Sequence, residues 1–290
     1  MISPPPILYK YLDADGAIKT FENSTLKFSS PLSLNDPFEC RYGGEPDGYR
    51  EELLEKLYNA KDSPDEWSRV CRERLGLTHP VQVQEAHRDV DRPAHFEHQI
   101  DLFLEEFKKI LPELHKEKLR KFSISSFSEL PDNSLMWGHY ADKHKGCVIG
   151  FESNALGKWY KVRYSSERIC RPMTRDDVKR VSMDTMRTKS IEWEYEHEWR
   201  LIRPVEPPLD TEDGTLVWHI QPEAINIIIL GLRADERLEQ AIRVFKHRHP
   251  KCDVFRATIH PSEYRIEFSP WEIAKSVNGD ESIKETGANE

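Results

Sequence analysis

Cysteine is scarce and unpatterned in this chain. Cys40, Cys71, Cys147, Cys170 and Cys252 are odd in number, widely scattered, and show no CxxC or Cys/His finger spacing. That removes a disulfide framework or a zinc finger as the basis of the fold and points to a reducing compartment. Long apolar runs are also missing, and nothing approaches the roughly 18 residues needed to span a bilayer. The start, MISPPPILYKYLDADG, lacks the basic segment and apolar core of an export signal. The expected setting is therefore the cytoplasm, with no membrane partner. Positive charge is in deficit: 42 Lys and Arg face 51 Asp and Glu, a formal net charge of -9. Such a balance argues against a broad phosphate-binding face. The local basic cluster Lys246, His247, Arg248, His249 and Lys251 could touch a phosphate, but it reads more simply as a helix C-terminus favoured by the helix dipole. Internal repeats, low-complexity tracts and a GxSxG elbow are absent too.

With 290 residues the chain can bury a sizeable core without staples. ILYKYL reads as a short strand, IKTFENSTLKFSS as an amphipathic stretch, and PLSLNDPFEC as a loop stiffened by Pro31 and Pro37 and by Asn and Asp side chains. From about residue 47 to 121 the composition turns charged and the apolar residues take helical spacing, which predicts a helical insertion. KFSISSFSE then reads as a strand. PDNSLMWGHYADKHKG fits a short helix with Asn133 or Ser134 as N-cap and Gly146 as a left-handed stop. Strands are expected at CVIGFE, WYKVRYS, EWRLIRP, TLVWHI, INIIILG and CDVFRATIH. Helices are expected at TRDDVKRVSMDTMRTKS and RADERLEQAIRVFKHRHP. The expected fold is one α+β domain over residues 1–270 with a mixed, mainly antiparallel β core, and a disordered tail over 271–290.

The sharpest local feature is IEWEYEHEWRLI, where Glu192, Glu194, Glu196 and Glu198 alternate with Trp193, Tyr195, His197 and Trp199. An extended chain would place all four carboxylates on one face, and a helix would set two like-charged pairs at i, i+4. A loop entering a strand at Trp199 relieves that repulsion. It leaves Glu196 and Glu198 at the strand entrance, with Arg200 free to neutralise one of them. The competing reading is an exposed acidic edge beside a row of core aromatics. In LMWGHYADKHKG, Trp137, His139, Tyr140 and His144 fall close together, but the two histidines are badly spaced for one metal on one helix face. No metal is expected. Ser123, Ser125, Ser126 and Ser128 alternate on a strand, which suits either a cleft wall or an ordinary half-exposed strand.

LYKY, SPLSLNDPFEC, ISSFSE, LMWGHYADKHKGCVIGFE, KVRY and YEHEWRLI occur in the order seen in one large bacterial family, and the chain resembles the domain of unknown function 2971 family. More distantly, the arrangement resembles the ADP-ribosyltransferase fold. That likeness implies NAD as substrate, with Lys10 or Tyr11 on the first strand contacting it. Ser125 and Ser126 would lie beside the nicotinamide ribose. Trp137, His139 and Tyr140 would flank the nucleotide. Glu198 would meet the ribose 2′-hydroxyl and Glu196 would orient an acceptor. Lys10 stands where that fold usually offers Arg or His.

Three functions compete. The first is an NAD-consuming ADP-ribosyltransferase or NAD glycohydrolase, a toxin or phage-defence effector acting on a protein or nucleic acid acceptor. The second is a metal-dependent nuclease or hydrolase using Glu194, Glu196 and Glu198 with His139 or His144. The third is a non-catalytic sensor that binds a nucleotide or a partner.

Overall fold

A computed structural model describes residues 3–209 and 214–271 of the chain, so the expected tail beyond Trp271 lies outside the described residues. In chain order the elements begin with β1 (Ile7–Leu12), α1 (Ala14–Asn23) and β2 (Thr25–Ser29). A run of helices follows: α2 (Tyr49–Ala60), α3 (Pro64–Val70), α4 (Pro80–Asp89) and α5 (Pro93–Leu119). Next come β3 (Phe122–Ser128), α6 (Ser134–Tyr140), β4 (Cys147–Glu152), β5 (Trp159–Lys161), β6 (Arg163–Ser165), α7 (Arg175–Thr185) and β7 (Thr188–Ser190). The last elements are β8 (Glu198–Pro204), β9 (Thr215–His219), β10 (Ile225–Leu230), α8 (Glu236–Arg248), β11 (Asp253–Ile259) and β12 (Ile266–Pro270). The class is α+β. No helix among the described residues is long and apolar enough to cross a membrane.

Ten strands share one sheet in the order β12-β11-β10-β4-β1-β3-β2-β9, with β8 paired to β3 and β5 to β8. Every pairing in it is antiparallel except β10 with β11, which α8 connects. The strand alternation serves two cores. Cys147, Ile149 and Phe151 of β4 join Ile225, Ile228 and Leu230 of β10 beneath α1 and α8. Val148 and Ile229 turn the other way, toward Tyr11, Met136 and Trp137. At about 1.5–3 kcal/mol for each large apolar side chain taken from water, these two layers supply the main driving force for the sheet. The helices α2 to α5 enclose a separate cluster around Leu57, Trp67, Phe96 and Ile100. In α5 the buried residues Phe96, Ile100, Leu104, Phe107, Leu111, His115 and Leu119 recur every three or four positions, so one stripe of the helix faces inward.

One irregularity of the sheet bears on function. β3 pairs with β8 along its whole length, from Phe122 opposite Pro204 to Ser128 opposite Glu198. On its other edge β3 meets two strands, each through a single residue pair: β2 at Ile124 opposite Ser29, and β1 at Ser128 opposite Tyr9. Ser126 falls between these two joins, where no strand supplies a partner.

Several details differ from the sequence expectation. The amphipathic stretch after β1 divides into α1 and β2, because Asp13 caps the helix through the Gly16 amide and Ser24 closes it in a left-handed turn. WYKVRYS is two strands: β5 joins the main sheet, and β6 pairs with β7 in a small parallel ribbon. β12, a strand of alternating apolar and polar residues that ends on proline, was not expected. Gly146 does not act as a left-handed stop. Asp142, Lys143 and His144 take the positive φ values after α6, at 43°, 53° and 69°. Glycine is needed at 146 because a Cβ there would collide with the backbone carbonyl of Leu12.

Candidate functional site

The acidic run resolves into a turn and a strand entrance. Ile191–Glu196 forms a 3-10 turn, His197 takes a left-handed φ of 46°, and β8 starts at Glu198. Two tethers fix this turn from outside. The Asn133 side chain caps α6 through the Leu135 and Met136 amides, and its NH2 donates to the carbonyl of Tyr195 at 2.9 Å. The Ser128 hydroxyl donates to the carbonyl of Glu196 at 2.6 Å. Glu196 and Glu198 are buried, so neither belongs to an exposed acidic edge. Glu192 and Glu194 remain outside.

Beneath the turn lies a charge cluster of Glu39, Lys189, Glu196, Glu198 and Arg200, each buried. Arg200 grips Glu198 with both arms of its guanidinium, Nε to Oε1 at 2.7 Å and Nη2 to Oε2 at 2.9 Å. It also donates to Glu39 and, at 3.0 Å, to the Met186 carbonyl. Lys189 donates to Glu196 Oε2 at 2.6 Å and stands 3.6 Å from Glu198 Oε2. Tyr140 donates to the other oxygen of Glu196 at 2.7 Å. Three carboxyl groups thus face two cations.

That imbalance shapes the titrations. Burial would raise Glu198, but Arg200 and Lys189 outweigh it and hold the carboxyl at about 2. Burial pushes Glu39 and Glu196 upward, against the pull of Arg200 and Lys189 respectively. Burial also works against the charged form of Lys189, yet the three surrounding carboxylates keep it above its ordinary value. Tyr140 is raised by burial and by Glu196, so it serves as a hydrogen-bond donor.

Above the cluster, a cavity of about 180 Å³ opens at the place where β1 and β2 part along β3. Its walls include Lys10 and Tyr11 from β1, Ser126 and Phe127 from β3, Met136 and Tyr140 from α6, and Glu196 and Glu198 from the turn and β8. Lys10 reaches the gap in the ladder: its amine donates to the Ser126 carbonyl at 3.0 Å and to Ser125 Oγ at 2.9 Å. A side chain therefore satisfies a strand carbonyl that would otherwise be orphaned. Glu39 and Lys189 form the partition with a second, wider groove of about 570 Å³, bordered by Phe38, Arg41, Arg168, Trp193 and Tyr195.

The residues singled out from sequence divide into three groups. Lys10, Tyr11, Ser126, Tyr140, Glu196 and Glu198 converge on the smaller cavity. Ser125 is buried behind it and holds the Lys10 amine. Trp137 and His139 do not reach it. The Trp137 ring is fully buried, with its indole N–H on the Pro131 carbonyl at 2.9 Å and its face stacked with His144. A ring packed on both sides cannot also stack on a ligand. His139 points outward from α6 and is exposed. Among the described residues no three His, Cys, Asp or Glu side chains are grouped as a metal ion requires.

Sequence reasoning missed the weight of Glu39 and Lys189. Glu39 sits in a loop whose Pro, Asn and Asp content explained itself, and TKS around Lys189 carries no recognisable chemistry. Only the alternation around Glu196 could have signalled that buried carboxylates needed a second cation.

The segment 136–201, from α6 into β8, matches the model of the family described as "Protein of unknown function (DUF2971)". That segment is similar to the DUF2971 family. The match takes in Tyr140, Lys189, Glu196, Glu198 and Arg200, while Lys10, Glu39 and Ser126 come from chain outside it. The matched segment thus carries most of the charge cluster, and the N-terminal strands close the cavity over it. No curated protein and no solved structure matches the chain at a significant level.

Proposed function

We propose that the cavity binds the nicotinamide–ribose end of NAD and cleaves the bond between them, transferring ADP-ribose to an acceptor or to water. The observation that supports this most is the meeting of Lys10 on β1, Ser126 on β3 and Glu198 at the start of β8 around one cavity. Cleavage breaks the C1′–N bond, its electron pair passing to the nicotinamide nitrogen and leaving positive charge on the ribose. A carboxylate hydrogen-bonded to the 2′-hydroxyl stabilises that charge as it forms. Glu198 remains ionised at neutral pH and fits that role. Glu196, shifted by burial toward its protonated form, is placed to accept and return the proton of the attacking hydroxyl. The wider groove beyond Glu39 and Lys189 offers room for the rest of a dinucleotide, within the ~300–1,000 Å³ usual for ligand sites. Loss of NAD in the cytoplasm would harm the host cell, as befits a toxin or phage-defence effector.

The bidentate clasp of Arg200 on Glu198 favours a second reading, a site that binds a nucleotide as a sensor without turning it over. Incubation of the full chain with NAD, following nicotinamide release by chromatography and NAD binding by calorimetry, separates the two. Release that Glu198→Gln abolishes, with circular dichroism unchanged, supports the enzyme. Binding without release supports the sensor, and neither binding nor release overturns both.

A further inference from the structure

Lys10, half-buried, differs from the buried cations of this site. Arg200 and Lys189 are each surrounded by carboxylates, whereas no carboxylate forms an ion pair with the Lys10 amine among the described residues. Its two partners, Ser125 Oγ and the Ser126 carbonyl, use two N–H donors. A neutral amine has two hydrogens and a lone pair. An ammonium would carry a third hydrogen whose neighbour is the Phe127 ring, with the nitrogen 4.7 Å from the ring centre. A neutral amine satisfies both acceptors, while the ring face attracts the charged form through a cation–π contact. Burial works against the charged form and brings the amine down to about 8. Glu198 across the cavity opposes this, and Lys27 on β2 reinforces it. The remaining titratable and charged walls are the phenols Tyr9, Tyr11 and Tyr140, all raised above their ordinary value, the carboxyls Glu39 and Glu196, and the cations Lys189 and Arg200.

A lysine with these properties, in a cavity equal to about six water volumes, is a nucleophile within reach of small molecules. We propose that Lys10 is a carbonyl-trapping amine, forming an imine with a small aldehyde or ketone that also carries hydroxyl groups. The lone pair attacks the carbonyl carbon, the N–C bond forms, and the C=O pair moves to oxygen, which takes up a proton as the nitrogen gives one up. A second proton, supplied by the Tyr140–Glu196 pair, expels that oxygen as water and leaves the C=N bond. No oxidant or reductant is consumed. The protonated imine keeps one N–H, enough for one of the two present acceptors. Hydroxyls on the ligand would meet Glu196 and Glu198. This reactivity belongs to the folded chain itself and does not depend on NAD being a substrate.

The test is reductive labelling of the full chain with glycolaldehyde and cyanoborohydride, read lysine by lysine by mass spectrometry. At pH 7.5 an amine titrating near 8 is unprotonated about two hundred times more often than one at the ordinary value near 10.5. Allowing for lower intrinsic nucleophilicity and restricted access, Lys10 should label at least ~10-fold faster than the median exposed lysine. That advantage should fade as pH rises past ~10.5. Lys27→Met, an exposed change, should move the Lys10 midpoint upward. Labelling of Lys10 no faster than the surface lysines at pH 7.5, while the urea-unfolded chain labels it normally, would overturn the proposal. A midpoint unmoved by Lys27→Met together with a value near 10.5 would do so as well.

Discussion

Replacing Arg200 with methionine keeps much of the side-chain volume and deletes the guanidinium from a site where it is 1% exposed. Glu198 loses both of its bidentate bonds, Glu39 loses its principal partner, and the Met186 carbonyl loses a donor. Removing one member of a buried ion pair costs about 3–5 kcal/mol, because the other charge is left without compensation. Glu198 allows an independent figure. Its carboxyl is held at about 2 instead of 4.5, a preference for the ionised form of roughly 3 kcal/mol. The sign follows from the lowered folded value: this stabilisation is present above pH ~4.5 and is lost as pH falls toward 2. Glu39 and Glu196, raised by burial, act in the opposite sense, so the quantity to measure is the difference between wild type and variant. Urea unfolding at pH 7 should show Arg200→Met destabilised by about 3–5 kcal/mol, with the deficit narrowing at pH 4 and below. Adding Glu198→Gln should recover at least ~1 kcal/mol, since it removes the stranded charge. A single-variant loss below ~1 kcal/mol, or strict additivity of the two changes, would refute this account of the cluster.

Other outcomes follow from the same geometry. Trp137→Ala should cost about 3–5 kcal/mol by cavity formation, and Trp137→Phe should leave any NAD or nucleotide affinity intact because the ring lies outside the cavity; calorimetry on a folded Trp137→Phe variant checks this. Gly146→Ala should lower thermal stability by more than ~2 kcal/mol, because its Cβ meets the Leu12 backbone and no side chain can move aside. His115 bonds the Cys40 carbonyl at 2.8 Å and Ser182 Oγ at 2.9 Å, which fixes a neutral ring with its proton on Nε2. Burial lowers its pKa, so its share of stability is full above pH ~6.5 and falls as pH drops below it. The slope of stability between pH 7 and pH 5 should therefore be flatter in His115→Asn, measured by urea titration at each pH.

Strands with strong periodicity were legible from sequence because one or both faces are buried. INIIIL and CVIGFE sit in the middle of the sheet, and the alternation of ISSFS marks the strand that joins its two halves. The long stripe of α5 was equally clear. The strand pairs of β5 with β8 and β6 with β7 were not, since three-residue strands carry too little pattern to show where one ends. At the site, repulsion among the four glutamates forecast the strand entrance at residues 196–198 and the role of Arg200. Lys189 lies on the short strand β7 and Glu39 in a loop about 150 residues earlier, and no pattern in the chain links the two. Trp137 was misplaced because an aromatic beside polar residues looks the same whether it packs inward or lines a cleft. Only the surrounding elements decide which it does.

The gap in β3 that Lys10 fills makes the amine a rung of the sheet as well as a wall of the cavity. Any ligand that engages the nitrogen competes with the Ser126 carbonyl for the same hydrogens. Occupancy of the cavity and cohesion between the two halves of the sheet are then thermodynamically linked, each weakening the other by the same free energy. A molecule held by Lys10 should report its presence as faster amide exchange along the parting edges of β1 and β2.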